Sequence, residues 1–239
     1  MCAVARLRLI AWNCHHGLLT ARLAELASFS PAIVFLQECR PVEALALMNP
    51  FVTQRVNVQK AIALGSLDTA YSLAKLRPRA NRGRAVVGVR VTGPVSFIAL
   101  GIWSQGPHYV DDVMRTLGAY SSILLSGPPV VMGDLNSGTN LARQKSTDKG
   151  HSQIVKALAD HGLVSAYHAS HRVEHGQEVH PTYRHHDPAD GHETEVDMPP
   201  QGVQTVNLIR VEVLDGKEWT TTSDHLPLMV DVRLTHPAV

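Results

Sequence analysis

The chain of 239 residues is 44% hydrophobic and 18% charged, an ordinary soluble composition with length for a substantial core and no disordered polar tail. Its 22 Lys and Arg balance 21 Asp and Glu to a formal net charge of +1, so total charge supplies no strong non-specific attraction to nucleic acid. No apolar run approaches the roughly 18 residues of a membrane span, and Cys2, Cys14 and Cys39 show neither metal-site spacing nor an even disulfide framework, so a monomeric cytoplasmic protein is expected.

Taken in chain order, residues 7–13 read as a strand ending in Asn13. Leu19, Leu23 and Leu26, spaced by four and three, predict a short helix that Pro31 interrupts. Residues 32–38 are apolar on both faces, the pattern of a strand buried between layers, and end in Glu38. Residues 41–48 read as a further short helix and 51–66 as weakly patterned short strands. A strand over 71–76 leads into a basic loop, and Lys75, Arg77, Arg79, Arg82 and Arg84 suit a local basic face and a solvated loop equally. Residues 84–91 and 95–103 predict an antiparallel hairpin around Thr92-Gly93-Pro94. Val110, Val113, Met114, Leu117 and Leu124 mark a long amphipathic helix, and Val130 to Met132 a buried strand turned by Gly133. Ile154, Val155 and Leu158 mark another helix, while 163–168, 206–213 and 228–234 read as strands. Hairpins mixed with helices, without repeats or a linker, point to one α+β domain over residues 1–239. Of 14 histidines, seven lie between His168 and His192; none forms a His-x-x-x-His pair in a periodic segment, and they read as exposed loop residues.

Polar residues of complementary kinds collect at the strand ends. Asp134 and Asn136 follow Gly133, and in an extended segment residues two apart face one ligand. A carboxylate accepts a proton or holds a cation, and an amide donates to a phosphate oxygen or an attacking water. Asn13, Glu38 and Ser223-Asp224-His225 complete the set. Singly, each has a plainer reading as an Asx turn or a strand terminus.

Together and in order, Ala11-Trp12-Asn13, Leu36-Gln37-Glu38, Gly133-Asp134-Leu135-Asn136 and Ser223-Asp224-His225 resemble the endonuclease/exonuclease/phosphatase superfamily of metal-dependent phosphoesterases. Residues 91–97, 162–168 and Pro181-Thr182-Tyr183 look like an uncharacterised bacterial branch of it. The resemblance implies an α+β four-layer sandwich, two face-to-face mixed β-sheets flanked by helices. It also implies hydrolysis of a phosphoester by in-line water attack, as in a nuclease, phosphodiesterase or phosphatase. Mg²⁺ or Mn²⁺ would sit on Glu38 with Asp224 nearby, and Asp134 would orient and deprotonate the water. Asn136 and Asn13 would fix the water, the phosphate or the metal shell, and His225 would stabilise charge on a phosphate oxygen. DNA, a phospholipid headgroup and a small phosphoester all fit the shared core as substrates.

The pattern breaks in places. The family's His-x-Asp-Tyr strand, whose Asp braces the catalytic histidine, is replaced over 191–200 by a stretch in which Glu195 takes the brace position ahead of Pro199-Pro200. A loose brace and lowered activity are therefore expected. Residues 51–62 are also off-pattern, and local divergence and a short reading-frame slip both account for the two segments. Trp103 stands where many members carry a histidine and receives no role. Two other classes compete with this reading: a binding domain of the same fold that has lost activity through 187–200, and a Ser–His–Asp hydrolase. Retention of all four motifs argues against the first, and the lack of a Gly-x-Ser-x-Gly elbow against the second.

Overall fold

The layers follow from the alternation of a single strand. In the computed structural model, which describes residues 5–15, 19–40, 48–78, 83–139, 150–186, 193–196 and 207–234, the first strand β1 (Ala5–Asn13) sends Leu7, Leu9 and Ala11 into one core cluster and Ile10 and Trp12 into another. A strand has a period of two, so one that is apolar on both sides has to be covered on both. The remaining strands are β2 (Ile33–Cys39), β3 (Phe51–Arg55), β4 (Ala61–Gly65), β5 (Ser72–Leu76), β6 (Val86–Thr92), β7 (Phe97–Trp103), β8 (Pro129–Asp134), β9 (Tyr183–His186), β10 (Glu193–Val196), β11 (Asn207–Val213) and β12 (Leu228–Leu234). They form a six-stranded sheet in the order β11-β12-β1-β2-β4-β3, a four-stranded sheet β5-β6-β7-β8, and the pair β10-β9. Only β1–β2 and β7–β8 pair in parallel among these ladders, so both larger sheets are mixed.

The two sheets face one another across the first core, where Leu9, Phe35 and Val230 of one meet Val89, Ala99 and Val130 of the other. On the outer face of the larger sheet, Leu23 and Leu26 of α1 (Leu19–Ser28) pack with Ile10, Val34 and Met229. On the outer face of the smaller sheet, α2 (Tyr109–Leu124) and α3 (Gly150–Asp160) bury Val113, Leu117, Ile154 and Leu158 against Val86, Leu100 and Val131. Each fully buried aliphatic side chain of this kind contributes roughly 1.5–3 kcal/mol. The result is the α+β four-layer sandwich that the motifs imply. Among the described residues no helix is long and apolar enough to cross a membrane.

Several local readings change. Residues 163–168 do not form a strand: Ser165 accepts a hydrogen bond from the His168 backbone N–H and caps α4 (Ala166–His171), which ends at Arg172 in the left-handed region with φ 57°. Side-chain capping outweighs the short apolar run, and it places His168 in the interior instead of an exposed loop. The off-pattern segment 51–62 pairs regularly, from Phe51 opposite Gly65 to Arg55 opposite Ala61. β3 is an edge strand of intermediate burial, which explains its weak periodicity. Lys75, Arg77 and Arg84 are exposed, and Arg79 and Arg82 lie outside the described residues. So does most of the helix read over 41–48, and so do 187–192 and 197–200. Cys14 and Cys39 are buried, and their thiols donate to the carbonyls of Gln37 and Ala61.

One charged contact spans the join between β1 and β12. Arg8 lies opposite Asp231 in register and donates to both its oxygens, at 2.8 and 2.9 Å, while Arg6 reaches Oδ2 at 2.5 Å. Burial pushes the Asp231 carboxyl up, but the two guanidinium groups outweigh it and hold its pKa below the ordinary 3.8. A depressed carboxylate contributes stability above its unfolded pKa and loses it as pH falls through the folded value. Asp231→Ala is therefore expected to cost about 2 kcal/mol at neutral pH, and thermal denaturation should show the gap from wild type closing below pH 3.8. A gap that persists in acid would assign the loss to packing instead of charge.

Candidate active site

The ends of β1 and β2 lie side by side, with Asn13 in register with Gln37. Glu38 follows in the left-handed region, φ 56°, where the β2–β4 register shifts between Leu36 and Cys39. Such a bulge re-aims a side chain. The buried Asn13 amide accepts from the His15 N–H at 3.1 Å through Oδ1, which leaves Nδ2 to donate to Glu38 Oε1 at 3.3 Å and Asp134 Oδ2 at 2.8 Å. One amide thus joins two carboxylates from different sheets.

Asp134 reaches this point because β8 runs parallel to β7 and ends beside Trp103. Gly133 has φ 138°, and a Cβ there would collide with the carbonyl oxygen of Ile102. The expected extended geometry from Asp134 to Asn136 is not formed. Asp134 Oδ1 instead accepts the Asn136 backbone N–H at 2.9 Å, and Asn136 turns into the left-handed region, φ 48°. This Asx turn satisfies the Asn136 N–H just beyond the strand. Asn136 Nδ2 donates to the Ser104 carbonyl at 3.2 Å, tying the turn to the end of β7.

The fourth motif enters from the other end of the chain. Ser223 Oγ donates to the Asn13 carbonyl at 2.7 Å and accepts the His225 N–H at 3.0 Å. His225 Nδ1 meets Asp224 Oδ1 at 2.8 Å, while Nε2 lies 3.7 Å from Asp134 Oδ2. Burial pulls the His225 pKa down, but the Asp224 hydrogen bond and the charges of Asp134, Asp224 and Glu38 raise it above 6.5 overall. Burial likewise pushes Asp224 up, and its contacts with His225 and His15 bring it below 3.8. The Tyr183 ring lies 4.5 Å from that of His225, and the Thr182 carbonyl accepts the Leu226 N–H at 2.9 Å. Asn13, Gln37, Asp134, Thr182 and His225 line a small open cleft.

Asn13, Glu38, Asp134, Asp224 and His225 therefore converge, with Asn136 beside them. Glu195 lies on β10 opposite Arg184, and the carboxylate found on His225 Nδ1 among the described residues is that of Asp224. The residues not anticipated are His15, Lys60 and Tyr183. Lys60 Nζ lies 2.5 Å from Glu38 Oε2 and 5.6 Å from the Trp103 ring centroid. It sits in the off-pattern segment, where no motif singles it out; Tyr183 belongs to a quoted motif without a role. Gly133→Ala is expected to cost about 3 kcal/mol, since it meets both a strained φ and a backbone clash. Unchanged stability on chemical denaturation would show that the turn relaxes freely.

No protein-family model matches the chain, and no curated protein does. Among solved structures it is similar to humanized D. rerio TDP2, at 14% identity and TM-score 0.67 over 95% of this chain and 98% of that one. It is also similar to the 3′ phosphatase NExo from Neisseria bound to product DNA hairpin, at 16% identity and TM-score 0.67 over 95% and 99% of the two chains. An endonuclease/exonuclease/phosphatase family protein from Bacteroides thetaiotaomicron aligns over 98% of this chain and all, 100%, of its own, at 13% identity and TM-score 0.65. At these identities the likeness is one of fold.

Proposed function

From the premise that the chain has the endonuclease/exonuclease/phosphatase fold, we propose that it is a divalent-metal-dependent hydrolase that cleaves a phosphoester by in-line attack of water. The carrying observation is the Asn13 amide that links Glu38 to Asp134, with His225 Nε2 facing the same Asp134 oxygen. The donor set fits Mg²⁺ or Mn²⁺, which take oxygen ligands. Glu38 and Asp224 lie 3.9 and 3.5 Å from one nitrogen of His15, and a Glu38 oxygen already holds a positive charge, the Lys60 ammonium. Glu38 would hold the cation with Asp224 close by, and such an ion would supply polarisation of the phosphoryl oxygen and stabilisation of the leaving oxygen.

The protein groups supply the rest. Asp134 has Oδ1 fixed by the Asn136 N–H and Oδ2 by Asn13, so its carboxylate is oriented to take a proton from the attacking water. With Nδ1 engaged by Asp224, His225 directs the proton on Nε2 toward a phosphate oxygen. Tyr183 limits rotation of that ring by packing on it. One neighbour is bound to a product DNA hairpin and another is complexed with single strand DNA product, which makes DNA termini the first substrates to assay.

A panel of DNA ends and small phosphoesters, assayed with Mg²⁺, Mn²⁺, Ca²⁺ and chelator, tests the reading. Activity is expected to vanish in chelator and return with Mg²⁺ or Mn²⁺. Asp134→Asn and His225→Ala should each lower turnover about 10²–10³-fold while the melting temperature stays close to wild type. Full turnover in both variants would sink the mechanism, and binding without cleavage in any metal would leave a binding domain. Glu38→Gln should raise the metal concentration needed for half-maximal rate.

Lys60 yields a prediction of the opposite sign. Its ammonium must leave Glu38 before a cation binds there, so Lys60→Met should lower the metal concentration for half-maximal rate. An increase would mean that Lys60 serves substrate binding instead.

A further inference from the structure

A second cluster of ligating groups lies on the turn that follows α4. The left-handed Arg172 ends the helix and Gly176, φ 93°, turns the chain again, which returns His175 and Glu178 to His168. The side chains of His168 and Glu178 are only 8% and 5% exposed. His168 Nε2 lies 2.8 Å from Glu178 Oε1, the His168 and His175 rings are 3.7 Å apart and tilted by 31°, and one ligand atom from each residue lies within 4.8 Å of the others. Among the described residues, His175 Nδ1 is buried with no hydrogen-bond partner. Burying a polar atom without a partner is unfavourable, so its persistence calls for one.

We propose that His168, His175 and Glu178 bind one transition-metal ion of the Zn²⁺ type, clamping α4 to the turn beyond it. Two imidazoles and a carboxylate suit borderline-soft late divalent ions, whereas Mg²⁺ favours oxygen ligands in octahedral array. Metal–ligand bonds near 2.0–2.1 Å put tetrahedral donors about 3.3 Å apart. The observed separations, from 2.8 Å to at most 4.8 Å, bracket that value, so side-chain rotation alone closes the site. Outer contacts are in place too. Ser165 Oγ meets His168 Nδ1 at 2.6 Å, which turns Nε2 inward, and the Gly176 N–H donates to Glu178 Oε1 at 2.9 Å. Burial favours a structural ion over a catalytic one.

The site also touches the catalytic turn through one intermediate. The His151 ring on α3 lies 5.8 Å from that of His175, and its Nδ1 meets the hydroxyl of Ser137, the residue after Asn136, at 3.0 Å. An ion here would stiffen the support beneath that turn, whether or not the cleft hydrolyses phosphoesters.

The test uses full-length protein stripped with chelator, in a Glu38→Gln background so that the cleft does not compete for metal. Calorimetric titration with Zn²⁺ alone should show one equivalent bound and a raised melting temperature, and Co²⁺ should develop the visible absorption of a tetrahedral site. Mg²⁺ should do neither. His175→Ala, on a partly exposed turn, and the near-isosteric Glu178→Gln should each weaken Zn²⁺ binding by about tenfold or more, with apo far-UV circular dichroism unchanged. Absence of saturable Zn²⁺ binding, or unchanged affinity in both variants, would overturn the assignment.

Discussion

β1 hydrogen-bonds to β12 on one side and β2 on the other, and the rest of the arrangement depends on that double pairing. It is antiparallel to β12 from Ala5 to Ala11 and parallel to β2 from Leu9 to Asn13. Asn13 is thereby held beside Gln37, while Ser223 bonds its carbonyl from across more than two hundred residues of chain. A slip of one residue would turn Leu7, Leu9 and Ala11 out of the inter-sheet core and aim Asn13 away from the cleft. Burial of both faces of the strand therefore sets the position of the amide. The opposition of Arg8 and Asp231 marks the same register with charge.

The two parallel pairs explain why the motifs stand where they do along the chain. Parallel neighbours bring their carboxyl ends to the same edge, so β1 and β2 deliver Asn13 and Glu38 together, and β8 delivers Asp134 next to the end of β7. β12 runs antiparallel to β1, so its amino end lies at that edge, which is why Asp224 and His225 precede a strand while Asn13, Glu38 and Asp134 lie at the carboxyl end of one. The Asn13 amide then crosses the gap between the sheets. Three carboxylates gathered in one cleft repel one another, and His15, Lys60 and His225 lie among them as positive or chargeable partners.

Where the sequence reading and the structure part, local hydrogen bonding is the cause. The apolar run over 163–168 reads as a strand, but the Ser165 hydroxyl caps a helix there. Asp134 and Asn136 read as neighbours on one side of an extended segment, but an Asx turn brings them together. The histidines read as loop decoration, yet His168 is buried and lies against the His175 ring because Arg172 turns the chain between them. Each outcome turns on a side-chain or backbone bond whose partner periodicity does not identify.

Periodicity is a short-range property, and what it can carry was legible: the strand at 7–13, the strand buried on both faces at 32–38, the amphipathic stripe of Val113, Leu117 and Leu124, and through them the layered α+β architecture. The ordered motifs also named the residues that converge, because each sits where an apolar strand meets polar chain. Only the tertiary structure decided how they meet. The direction of the Asn13 amide, the bulge that re-aims Glu38, the Asp224 oxygen on His225 and the Lys60 ammonium on Glu38 all depend on contacts between segments remote in sequence. Distances of that kind are set by how two sheets and their turns pack, and no local spacing of residue types encodes them.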